Sequence, residues 1–153
     1  MGAYQKQANL HDPDNGIYGD CYRTCLAGML GFDRDSVPHF VTTMDPEKWE
    51  SEVQPKYDAW LLERGLQELA INLPGDVSVD DVLAWQKARS FIPTVSMLVG
   101  KSLTGCNHSV LVSEGKIIHD PSITDAGIIG PTGDGFYWLI WLIPAMQAIT
   151  RVK

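Results

Sequence analysis

The chain is poor in cysteine, in positive charge and in long apolar runs, and each shortage removes a class of protein. Cys21, Cys25 and Cys106 are too few, and odd in number, for a disulfide framework. The opening stretch MGAYQKQANLHDPDNG has no apolar signal segment. The expectation is therefore a cytoplasmic protein with reduced thiols. Only 12 Lys and Arg stand against 19 Asp and Glu, giving a net charge of −7, and no basic run is present. Phosphate contacts need clustered cations, so no nucleic acid partner is expected, nor an anionic membrane surface. The most apolar run, FYWLIWLIP over Phe136–Pro144, is too short to cross a bilayer as a helix. Repeats, low-complexity blocks and interdomain linkers are also missing, so residues 1–153 read as a single domain. The glycine-rich stretch SITDAGIIGPTGDG lacks the Lys-Ser/Thr of a phosphate loop, and no cofactor is expected. Nothing in the sequence marks an oligomeric state.

The composition that is present is globular, 44% apolar and 20% charged. The apolar period changes along the chain. Residues 21–30 read as a helix closed by Gly31. Asp45-Pro46-Glu47 reads as a helix start, with Pro55 kinking or breaking the run and Gly65 ending it. Ser78 with Asp81 opens another helix running to about Ala88. From there β-branched and aromatic stretches dominate: Ile92–Val99, His108–Ser113, Lys116–His119 and Phe136–Ile143, with Leu69–Leu73 one more short strand. Helices first and an antiparallel sheet after them make an α+β layout.

The stretch GDCYRTCLAGMLG places Cys21 at the first turn of its helix. Unpaired backbone N–H groups there favour an anion, and the thiolate is the reactive form of cysteine. Cys25 lies one turn further in, among apolar residues, and reads as core. Asp20 opposes a neighbouring thiolate, but it is also a good N-cap residue, and whether the helix amides occupy its charge stays open at the level of sequence.

A nucleophilic thiol needs a base. Of the four histidines, His108 opens a strand, and Asp120 comes later in HDPS at the end of the partner strand. A carboxylate that accepts the imidazole N–H fixes its tautomer and steadies the imidazolium. Hairpin parity makes the pairing testable. A tight turn at Glu114-Gly115 held to the strand ends puts His119, not Asp120, on the His108 face. The Cys-His-Asp reading therefore requires an odd-length turn or a bulge. His39, in VPHF, reads as structural. Ser122–Gly135 reads as a mobile loop forming one wall of a cleft.

Taken together, GDC-x3-C-x-AGMLG, NHSVLV and HDP resemble the papain-like cysteine peptidase clan, nearest to bacteriocin-processing peptidase domains and to small phage and bacterial proteins with a GDC…VPHF…H…DP layout. The resemblance covers residues 15–40 and 106–121. It implies a papain-like fold, with N-terminal helices packed on a C-terminal antiparallel sheet. It also implies Cys21 as nucleophile, His108 as base and Asp120 as its orienter. The clan places a glutamine six residues before the cysteine as oxyanion donor. Asn15 stands there, one methylene shorter, and takes that role by the resemblance, with the Cys21 backbone N–H beside it.

The activity so implied is a cysteine hydrolase acting on peptide, isopeptide or other amide bonds, with a peptide or protein as partner. Two other readings stay open. One is a catalytically inactive binding protein on the same scaffold, using aromatics such as Trp49, Tyr57, Trp60, Trp85 and Trp138. The other is a zinc module built from Cys21, Cys25, Cys106, His108 and His119, for which the spacing is poor.

Overall fold

A computed structural model describes residues 4–90 and 94–145. Helix α1 spans Cys21–Leu30. Asp45 starts the next helical run by accepting the N–H groups of Glu47 and Lys48 at 3.0 and 3.1 Å. That run comprises α2 (Pro46–Lys48), a π-helical turn at Trp49–Val53 and α3 (Gln54–Leu62). Pro55 has no N–H to offer the Ser51 carbonyl, and the helix widens just before it. Strand β1 is Leu66–Pro74 and α4 is Val79–Arg89, the latter opened by a reciprocal Ser78–Asp81 capping box. Strands β2 (Ser96–Lys101), β3 (Asn107–Ser113), β4 (Lys116–His119) and β5 (Phe136–Pro144) complete the chain order.

The five strands form one antiparallel sheet in the order β1-β5-β2-β3-β4. The α+β class holds. The arrangement differs from the expected one in two ways. Strand β1 precedes α4 in the chain and is longer than Leu69–Leu73, because all nine of its residues find partners on β5. Helices also cover both faces of the sheet. Met97, Leu111 and Ile140 meet α1 and α3 on one face through Cys25, Leu26, Tyr57 and Leu61. Leu98, Val110, Val112, Tyr137 and Leu139 meet Val82 of α4 on the other. This division arises from the period-two alternation of strands buried on both sides. The expected strand start at Ile92 lies outside the described residues, and β2 begins at Ser96.

The β3–β4 hairpin turns tightly at Glu114-Gly115, both with positive φ (51° and 75°), which suits a type I′ turn. Ser113 pairs with Lys116 and Val112 with Ile117, but Leu111 pairs with His119, so Ile118 is an extra residue in β4. This bulge restores the parity that the Cys-His-Asp reading needs. At Gly100 the chain admits no side chain: a Cβ there would stand 2.6 Å from the Gly130 carbonyl oxygen, where the segment after Asp120 crosses the end of β2.

Candidate active site

Each member of the expected triad is placed by a different element. Cys21 is the first residue of α1, and His108 lies at the open end of β3. Asp120 stands just past the last residue of β4. The His108 ring is buried and its Nε2 lies 2.6 Å from Asp120 Oδ1. Cys21 and His108 line the same cavity, and Cys21 is among the neighbours that raise the pKa of the ring. With Nε2 taken by the carboxylate, Nδ1 is the nitrogen left for the sulfur.

The electrostatics agree with this geometry. Burial works to lower the His108 pKa, but the hydrogen bonding and charge of Cys21 and then of Asp120 outweigh it, and the net shift is upward from 6.5. Burial works to raise Asp120, yet the hydrogen bond with His108, the Ser122 and Gly127 amides and the imidazole charge bring it below 3.8. Those amides donate at 2.9 and 2.8 Å. The loop Ser122–Gly135 thus does more than wall the cleft, since it clamps the carboxylate. It is tied down rather than loose: Lys101 donates to Gly130, Ile129 to Lys101 and Leu103 to Ala126, and Ala126 and Ile128 are buried.

The structure decides between the two readings of Asp20. Its side chain makes no capping bond. It is fully buried and accepts the Asn9 amide at 2.8 Å and Arg23 Nε at 3.0 Å. Arg23, one turn into α1, therefore balances the charge beside Cys21. Cys25 is fully buried, and burial first, with the Cys21 and Asp120 charges after it, pushes its thiol well up; it is core.

Asn15 is not brought to the site. It sits exposed in the turn Pro13–Asn15, and its amide donates to Asp12 at 2.7 Å. The reason is a fold-back of the chain. Asp12 and Ile17 bridge each other, loop out the residues between them and lay residues 7–11 beside 19–20. Gln7 is the residue this delivers. It is buried, and its Nε2 lies 3.4 Å from where a Cβ on Gly19 would stand. Its amide donates to the Asn9 carbonyl at 2.5 Å. Sequence spacing misses it, because only the turn DPDNG brings so distant a residue beside Gly19.

The remaining histidines are occupied elsewhere. His119 Nε2 bonds the Gln5 carbonyl at 2.7 Å and its ring stacks on Tyr4. His39 Nε2 bonds the Tyr18 carbonyl at 2.9 Å, and His11 Nδ1 accepts the Gly19 amide at 3.3 Å. Among the described residues no group of three or more His, Cys, Asp or Glu side chains is placed to hold a metal ion.

Comparison with known proteins offers no analogue: no family model, curated protein or solved structure matches the chain. The site is therefore read from its own geometry. Cys21 and His108 open onto a cavity of about 430 Å³, which also receives Gly19, Tyr22, Trp49, Glu68, Ser109, Thr132 and Trp138. Of the aromatics singled out in the sequence, Trp49 and Trp138 reach it, whereas Tyr57 and Trp60 are core. Among the described residues no helix is long and apolar enough to cross a membrane.

Proposed function

We propose that the protein is a papain-like cysteine hydrolase that cleaves peptide, isopeptide or other amide bonds. The observation that carries the reading is that Cys21, at the first turn of α1, lines one cavity with His108, whose other side is held by the Asp120 carboxylate at 2.6 Å. In this reading His108 takes the Cys21 proton, and the sulfur attacks the carbonyl carbon of the substrate. The Cys21 backbone N–H, which has no acceptor in the helical ladder, and the Gln7 amide hold the oxyanion. His108 then gives its proton to the leaving amine as the C–N bond breaks. Water attacks the thioester, its proton passing to His108, and the acid leaves as the Cys21 thiol is restored. Asp120 keeps the imidazole oriented and steadies its charged form throughout.

The test is acyl transfer from p-nitrophenyl acetate. The expected result is a burst of p-nitrophenolate with an acetyl group on Cys21, absent in Cys21→Ala and slowed about a hundredfold or more in His108→Ala. A burst that survives Cys21→Ala, or acetylation that ignores His108, would contradict the reading.

A further inference from the structure

The cavity continues from Cys21 past Tyr22 to a wall whose charges the reaction does not use. Glu50, Asp58, Glu68 and Asp134 all line it, and no Lys or Arg does so among the described residues. Glu68 is the informative member. It is half-buried on β1, and among the described residues its carboxylate is held by neutral donors alone, the Tyr22 hydroxyl on one oxygen and Gln54 Nε2 at 2.9 Å on the other. The same Gln54 amide donates to Asp58 at 2.9 Å, so one side chain holds two carboxylates together. No ion pair to either is found among the described residues. Burial raises the Glu68 pKa and the nearby Asp58 charge adds to it, although the Tyr22 and Gln54 hydrogen bonds pull the other way.

Like charges gathered in a partly dry wall are unfavourable unless something positive joins them. Two indole rings stand at the same cavity and are fixed in place. Trp49 Nε1 donates to Gln54 Oε1 at 3.0 Å, and Trp138 Nε1 donates to Asp134 Oδ2 at 2.9 Å. Both ring N–H groups are thereby used; Trp49 also packs on Tyr22 and Trp138 on Phe136, and both rings still line the cavity. Carboxylates without a counter-ion, set beside fixed indoles in a space continuous with a nucleophile, are complementary to an ammonium or guanidinium on an apolar stem.

We infer that this wall is a specificity subsite for a basic side chain, lysine or arginine, of the peptide or protein substrate, with Glu68 and Asp58 meeting the cation and Trp49 and Trp138 its stem. The inference rests on the hydrolase reading above, and its test separates the two. Peptidyl chloromethyl ketones that differ at one residue, lysine, norleucine or glutamate, are compared by the rate at which they alkylate Cys21. The varied residue is placed next to the reactive carbon in one series and one residue further back in a second. Norleucine keeps the stem of lysine and lacks only the charge.

The expected result is a lysine probe about tenfold faster than its norleucine counterpart in one of the two series, with the glutamate probe slowest. Within Glu68→Gln the ratio of lysine to norleucine rates falls towards one. The surface variant Asp58→Asn lowers the same ratio by a smaller factor, and serves if Glu68→Gln does not fold. Equal lysine and norleucine rates in both series, with the p-nitrophenyl acetate burst intact, would overturn the subsite and leave the hydrolase reading standing. Loss of the burst in the wild-type chain would overturn both.

Discussion

The sealed α4 face of the sheet and the cavity at the N-terminus of α1 handle buried polarity in opposite ways. On the α4 face Gln86 is fully buried, and each end of its amide is used: Nε2 reaches Ser96 Oγ at 3.3 Å and Oε1 accepts the Gly115 amide at 2.9 Å. Around it Val82, Leu98, Val110, Val112 and Leu139 close the core. Around the N-terminus of α1, His108 and Glu68 are held by partners on one side and, with Cys21, line a cavity on the other. A buried polar group saturated by its own chain builds the fold, whereas one oriented but left facing space is poised for a ligand or a reaction. The cost of desolvating such groups is carried by the rest of the structure, which is why the sealed face matters to the open cavity.

The sharpest way to break that contrast is to strike the sealed face. Leu139→Ala, at a position with no solvent exposure, is expected to lower stability by about 2–5 kcal/mol in denaturant unfolding. The variant, where folded, keeps its acetylation burst. A lost burst in a stably folded Leu139→Ala chain would mean that the two regions are not separable.

Next in size is the proposed oxyanion pair of the Cys21 N–H and the Gln7 amide. Gln7→Ala is expected to slow the burst about a hundredfold, and Asn15→Ala to leave it unchanged. The reverse order would return the role to Asn15 and require the turn to open.

A smaller effect is expected from Asp120→Asn, read by pH. His108 is raised above 6.5, so the folded chain binds that proton more tightly than the unfolded chain. The resulting stability is complete below 6.5 and disappears as pH rises through the higher folded value. Asp120 is lowered below 3.8, so its contribution is present above 3.8 and disappears as pH falls through the lower folded value. The charged pair therefore spans the interval between those two folded values. Asp120→Asn removes one cause of the upward shift, and the His108 pKa measured by NMR titration is expected to fall. An unchanged value would mean that Asp120 does not act on the ring.

Much of this is legible in the residues, for local reasons. Helix α1 and its cysteine can be read from GDCYRTCLAGMLG, and the helix starts at Asp45 and Ser78 from side chains that cap their own backbone. Parity alone shows that a tight hairpin and an Asp120–His108 contact are compatible only through a bulge. The bulge falls at Ile118, which carries no mark of its own because an apolar residue in a short strand looks alike in either register. The illegible features depend on chain segments meeting. Asp20 turns to Arg23 and Asn9 rather than to the helix amides. Asn15 is held away from the site and Gln7 is brought beside Gly19 through a turn whose consequence is tertiary. The loop after Asp120 has a composition that suggests slack, yet its backbone pairs with Lys101 and Leu103.

The central claim is that the sulfur of Cys21 and the ring of His108 form one reactive unit, and alkylation by iodoacetamide measured cysteine by cysteine tests it most directly. Cys21 is expected to react fastest, Cys25 to stay protected in the folded chain, and the Cys21 advantage over Cys106 to vanish in His108→Ala. A Cys21 that reacts no faster than Cys106, or whose rate is the same with and without the imidazole, would contradict it.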